Sequence, residues 1–138
     1  MPYAVLMATE RKKRGSRHAT ILQVARDLFF ERSFAAVGVD EIGERAGVTG
    51  PAIYRHFSGK DEILSTLFDD AIDGLLEATA FRSDDPMEEL EALVRGHARF
   101  VIGERKLAGV KIREERSLAE PYRRSLRRRE RSLSLFAL

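Results

Sequence analysis

The chain has 138 residues, 43% of them apolar and 33% charged, with a formal net charge of +2 and no cysteine. This balance suits a soluble helical protein with one respectable core, or a small head with a modest second bundle, and it excludes disulfides and thiolate metal sites. No apolar run approaches the roughly 18–20 residues that span a bilayer, and the segment from Met1 to Met7 is too short for a signal peptide, so a cytoplasmic protein without membrane attachment is expected.

The charge is unevenly placed. Basic residues gather at Arg11, Lys12, Lys13, Arg14 and Arg17 and again from Arg123 to Arg131, while acidic residues concentrate between Asp61 and Glu91. Electropositive ends suit a polyanion better than the chain average does.

In chain order, residues 1–15 read as a flexible basic arm, and Met7 is a candidate natural start. Ser16 is expected to cap a helix running to about Glu31, with Ile21, Val24, Ala25, Leu28 and Phe29 on one face. Two short helices follow, at about 39–46 and 50–56, joined by a tight turn at Gly47. Ile42 and Ala46 on the first face Val48, Ile53 and Phe57, closing a small core. Thr49, Gly50, Pro51, Ala52, Tyr54, Arg55 and His56 are left facing outward at the start of the second helix. Outward polar and aromatic groups there are what a DNA major groove requires.

Ser58 to Asp61 matches a capping box, with the Ser58 hydroxyl taking a free amide and Asp61 reaching back. It opens a long helix near 59–80 striped by Ile63, Leu64, Leu67, Phe68, Ala71, Ile72, Leu75 and Leu76. Lys60 sits in its first turn, where positive charge is mildly unfavourable against the helix dipole, which points to an anionic partner. Pro86 starts a further helix to about Gly103, striped by Leu90, Leu93, Val94, His97, Phe100 and Val101. Another runs from about Arg105 to Ser117, and Pro121 opens a last one with Tyr122, Leu126 and Leu133 as a thin stripe among arginines. No strand alternation or internal repeat occurs, so the fold class is all-α.

Nothing points to an enzyme. Glu-x-x-His pairs, His-x-x-x-His spacing and glycine-rich phosphate loops are all missing, and no metal or other cofactor is expected. Asp69, Asp70, Asp73 and Glu77 read as a solvated acidic face. The arginines from 123 to 131 read as a solvated helix face, since no interleaved aromatics would stack on bases. His97 reads first as a core histidine bonded to a neighbour. The sharper alternative makes it the polar anchor of an effector cavity with Phe68, Ile72, Leu93 and Phe100, suited to a small lipophilic ligand.

Residues 16 to about 76 resemble the N-terminal domain of the TetR/AcrR family of bacterial transcriptional regulators. The resemblance rests on Ile21-Leu22-x-x-Ala25-x-x-Leu28-Phe29, Val39-x-x-Ile42-x-x-x-Ala46-Gly47-Val48, Ile53-Tyr54-x-His56-Phe57 and Lys60-x-Glu62-Ile63-Leu64. It implies a homodimer on a palindromic operator and a C-terminal helical domain that takes a small-molecule effector. Carried over by position, it implies phosphate contacts from Thr49, Tyr54, His56 and Lys60, and base choice from Gly50, Pro51, Ala52 and Arg55. A guanidinium at Arg55 can donate twice to guanine, worth roughly 1–3 kcal/mol of discrimination.

Four features depart from the family pattern. Ser33 replaces a helix-ending Gly, at about 1 kcal/mol if the backbone there needs positive φ. Gly38 replaces a capping Ser or Thr that contacts phosphate, and Gly43 replaces an Ala, which loosens its helix. The chain also stops before the two long helices that usually form the dimer interface.

The expected layout is therefore an arm over 1–15, a helix-turn-helix domain over 16–60 and a shortened regulatory and dimerisation domain over 61–138. The expected function is a transcriptional repressor released from its operator by an effector. The alternative is a truncated helical interaction module that acts by hetero-oligomerisation without an operator of its own.

Overall fold

The computed structural model describes the backbone of residues 3–136 and the side chains of residues 15–133. Seven α-helices follow one another: α1 (Tyr3–Glu31), α2 (Val39–Ala46), α3 (Gly50–Ile53), α4 (Lys60–Ala78), α5 (Pro86–Gly103), α6 (Arg105–Glu114) and α7 (Tyr122–Phe136), with a 3-10 turn over Glu115–Ser117 after α6. No strand occurs among the described residues. The all-α expectation and the helix order agree with this.

Two helix starts differ from expectation. The α1 backbone is helical from Tyr3, not from a cap at Ser16, whose carbonyl instead accepts the Thr20 hydroxyl at 2.9 Å as a mid-helix residue. The stretch from Tyr3 to Arg14 is rich in Ala, Leu, Met, Lys and Arg. One Gly at position 15 costs about 1 kcal/mol, too little to break such a run. The side chains of the expected basic arm before Gly15 lie outside the described residues.

At α4 the cap is Gly59, without a side-chain bond, and the reciprocal contact is shifted by one residue. Glu62, not Asp61, reaches back to the Ser58 amide, which with the Ser58 hydroxyl holds its carboxyl below the usual range. Asp61 Oδ1 is taken by the Ala119 amide at 3.2 Å, and Ser58 Oγ lies 3.2 Å from the Tyr122 hydroxyl. Tertiary contacts at the start of α7 thus displaced the local box.

One continuous core joins the head to the later helices. Ile21, Ala25, Leu28, Phe29, Ile42, Ile53 and Phe57 are buried together with Ile63, Leu64, Leu67, Phe68 and Ile72 of α4. Leu107 and Val110 of α6, Leu118 and Leu126 close the same cluster. Burial of about 20 such side chains, at roughly 1.5–3 kcal/mol each before entropy, is what offsets the cost of ordering the chain.

The body is lopsided. No residue of α5 is buried, and Leu90, Leu93, Val94, His97 and Val101 of its expected core stripe stand exposed, as do Met87 and Ile102. The face of α5 that meets α4 is a neighbouring one. There Gly96 lies so close to Ala78 that a Cβ would overlap the Ala78 carbonyl oxygen, and Phe100 packs over Gly74.

Candidate nucleic-acid interface

The turn between α2 and α3 forms for local reasons. Gly47 adopts φ 70°, a left-handed conformation that side chains resist, and the Val48 amide returns to the Gly43 carbonyl at 2.9 Å. Thr49 then caps α3: its Oγ1 accepts the Ala52 amide at 3.2 Å, and Pro51 occupies the first turn, where a missing amide costs nothing. The Thr49 hydroxyl keeps its own hydrogen for an outside acceptor. Gly43 does more than loosen α2. A Cβ there would sit 3.0 Å from Val48 O and 3.2 Å from Ile53 Cδ1, so an alanine would need these neighbours to give by a few tenths of an ångström.

The α-helical part of the expected reading helix is shorter than 50–56, ending at Ile53. Beyond it the Arg55 and His56 backbone amides donate to the carbonyls of Ala52 and Ile53, three residues back, at 3.3 and 2.8 Å, and Phe57 turns into the core. Tightening to this pitch swings Phe57 inward and leaves Tyr54, 59% exposed, and Arg55 pointing away from the molecule. Thr49 and Pro51 are exposed beside them, whereas Gly50, Ala52 and His56 are half-buried. His56 is partly held by α1: its ring meets His18 edge-on at 5.9 Å, and His18 stacks on Phe57 at 4.6 Å. No local pattern singles out His18, because its partners lie almost 40 positions away.

Lys60 is placed differently from the other expected phosphate contacts. Its Nζ donates to the carbonyls of Phe34 at 2.8 Å and Val37 at 3.0 Å and lies 4.2 Å from the centre of the Phe34 ring. An ammonium has three hydrogens, so at most one remains for a phosphate. The unfavourable charge in the first turn of α4 is answered by two carbonyls of the α1–α2 loop.

That loop also carries the backbone departure expected at Ser33, which has φ 145°. Its Oγ accepts the Ala36 amide at 3.3 Å, a partial return for the strain. Gly38 caps α2 with no side-chain bond, as its lack of a hydroxyl requires.

The same loop is gripped from the body by a pair that sequence reading passed over. Glu114, only 5% exposed, accepts the Phe34 amide at 3.1 Å, the Ser117 hydroxyl at 2.9 Å and Arg113 Nε at 3.1 Å. Burial pushes its carboxyl up, but these three donors outweigh that and hold it below the ordinary glutamate value. Arg113 also donates to the carbonyls of Phe29 and Phe30, the last turn of α1. No local pattern marks Arg113 or Glu114, because these partners lie about 80 residues upstream. Arg129 of α7 similarly bridges Asp69 at 2.8 Å and Asp73 of α4, so the supposed free acidic face is partly paired.

The expected effector cavity is not assembled. Phe68 and Ile72 are buried in the shared core, Leu93 and His97 are exposed, and Phe100 alone lines a cleft, of about 350 Å³, with Leu22, Arg26, Leu67 and Asp70. His97 is thus exposed rather than a core histidine, and it does not line the cleft at Phe100. The reason lies in α5, which turns its Gly96 and Phe100 side to α4 and leaves its Leu93 and His97 side uncovered.

Residues 21–67 match the description "Bacterial regulatory proteins, tetR family". The chain is 34% identical over 95 residues to the HTH-type transcriptional activator FasR of Mycolicibacterium smegmatis, covering 66% of this chain and 43% of that one. It is 33% identical over 98 residues to the HTH-type transcriptional repressor Rv3405c of Mycobacterium tuberculosis, covering 68% and 51%. The chain thus spans about half the length of these relatives. Among solved structures, the TetR family transcriptional regulator PfmR from Thermus thermophilus superposes with a TM-score of 0.70 at 31% identity, covering 79% of this chain and 62% of that one.

Proposed function

Since the chain belongs to the tetR family of bacterial regulatory proteins through its N-terminal domain, we propose that it is a sequence-specific DNA-binding transcriptional regulator. It acts as a repressor, as a homodimer on a palindromic operator. The observation that carries this reading is the outward cluster of Thr49, Pro51, Tyr54 and Arg55 on a turn whose inner side is locked by Ile42, Ile53 and Phe57. A rigid inner side fixes where the outer side chains point, which base reading demands.

The division of work follows from chemistry. The Thr49 and Tyr54 hydroxyls, with the His56 imidazole beside them, suit phosphate oxygens. The Arg55 fork suits the O6 and N7 acceptors of guanine. Pro51, Gly50 and Ala52 offer small apolar surfaces that let the groove floor approach. Lys60 contributes by fixing the α1–α2 loop beneath this turn rather than by gripping the backbone itself.

The link between head and body supports release by a small effector. Arg113 and Glu114 tie α6 to the end of α1, and α4 continues directly from the reading turn. A ligand that shifts α6 against α4 tilts the head, and two heads then lose the half-site separation of about 34–36 Å.

Footprinting on the DNA flanking the gene tests the reading. The expected result is a protected inverted repeat at modest salt; no protection there overturns it. Arg55→Ala is expected to weaken the matched site by about 1–3 kcal/mol and leave random DNA almost unchanged. Equal losses on both would refute a base-reading role. The interaction-module reading draws its support from the exposed apolar residues of α5. Its signature would be a protein that pairs with another chain and binds no DNA.

A further inference from the structure

A second charged constellation lies in the cleft between α6, the 3-10 turn and α7. It encloses about 340 Å³ and is lined by Ile112, Glu115, Arg116, Arg123 and Arg127. Arg123 and Arg127 are four apart on α7 and so share one face, and Arg116 approaches from the 3-10 turn opposite.

The carboxylates nearby are already engaged. Glu115 receives Lys111 Nζ at 2.7 Å, and Glu120 receives Arg123 Nε at 3.2 Å and Arg124 at 4.0 Å. The guanidiniums of Arg116 and Arg127 have no carboxylate within 4.0 Å among the described residues. Other arginines of α7 are not equivalent: Arg129 is consumed by Asp69 and Asp73, and Arg128 does not line the cleft. Arg116 and Arg127 thus face one concave space without a paired carboxylate among the described residues, beside Arg123, which Glu120 already pairs, and a bound anion turns the repulsion of the first two into attraction. Ile112, 85% exposed at the rim, supplies an apolar ledge beside them.

We infer that this cleft is a binding site for a small phosphate-bearing anion carrying at least two negative charges. Planar forks from two walls match phosphate oxygens bidentately, and a single carboxylate, with only two oxygens, satisfies Arg116 and Arg127 less well than a phosphate group does. The volume falls at the small end of ligand pockets and admits a diphosphate group with part of whatever carries it. The site shares no residue with the DNA-reading turn and does not depend on that reading.

Calorimetric titration of the full chain with pyrophosphate, without DNA, tests it. One site per chain with a dissociation constant below about 1 mM is expected. Arg116→Gln and Arg127→Gln should each weaken binding about tenfold, Arg127→Lys less than Arg127→Gln, and Arg128→Gln hardly at all. Thermal unfolding of each variant checks the fold, and removing a repelled charge should leave it intact. Tighter binding of ADP than of pyrophosphate identifies an organic phosphate that uses the Ile112 ledge. Equal binding identifies the free diphosphate. No saturable binding, citrate binding as well as pyrophosphate, or Arg128→Gln losing as much as Arg127→Gln would each overturn the inference. So would a loss of duplex DNA affinity in Arg116→Gln and Arg127→Gln without any pyrophosphate site, since the arginines would then serve nucleic acid.

Discussion

Replacing Glu114 is the sharpest test of how the head is held. Glu114→Ala removes an acceptor shared by the Phe34 amide, Ser117 Oγ and Arg113 Nε. Phe34 is buried, so its amide is left without a partner, at a cost of roughly 1–3 kcal/mol. The Ser117 hydroxyl and the half-exposed Arg113 can turn to water, so each adds only about 0.5 kcal/mol. The sum is about 3 kcal/mol, which moves a urea midpoint down by roughly 1–3 M at slopes of about 1–3 kcal/mol/M. Glu114→Gln keeps an oxygen for the Phe34 amide and should cost about 1 kcal/mol.

The two variants differ from the native chain in pH dependence as well. The Glu114 carboxyl is held below its ordinary value of 4.5 in the folded protein. Its stabilisation is therefore complete above about pH 4.5 and disappears as the pH falls through the lower folded value. The stability gap between the native chain and Glu114→Gln, followed by circular dichroism in urea, should be constant near neutrality and close on acidification below that point. A Glu114→Ala loss under about 0.5 kcal/mol, or a gap that does not change with acid, would refute the clamp.

Three further outcomes are expected. Ser33→Gly should relieve about 1 kcal/mol of backbone strain and lose the Ala36 contact, for a net gain near 0.5 kcal/mol, while Ser33→Ala keeps the strain and loses the contact; melting temperatures should rank Gly, Ser, Ala. Gly38→Ser has open space for its side chain and should add a helix cap worth a few tenths of a kcal/mol, together with tighter DNA binding in a gel-shift titration. Lys60→Met should destabilise the fold by about 2 kcal/mol through the loss of two carbonyl contacts, yet leave the salt dependence of DNA binding nearly unchanged; a slope lower by a full phosphate contact would return Lys60 to the backbone-gripping set.

Whatever rests on short-range pattern could be read directly from the order of the residues. The stripes of α1 and α4, the Gly47 turn, the Thr49 cap and the inward set Ile42, Ile53 and Phe57 all depend on neighbours within a few positions. Helical periodicity and capping chemistry act over that range, so the inner face of the head and the outward placement of Thr49, Pro51, Tyr54 and Arg55 were legible, whereas Gly50, Ala52 and His56, expected outward, are half-buried.

Packing settled the fate of groups whose partners are far away in the chain. Lys60 meets Phe34 and Val37, Glu114 meets Phe34, and Arg129 meets Asp69 across 60 positions, and none of these pairs leaves a local trace. The stripe of α5 shows the converse. Its periodicity marked the helix and its apolar face correctly, but which face meets α4 was set by the space at Gly96 and Gly74. Burial is a property of the packed partner as much as of the side chain, and hydrophobic spacing records only the latter.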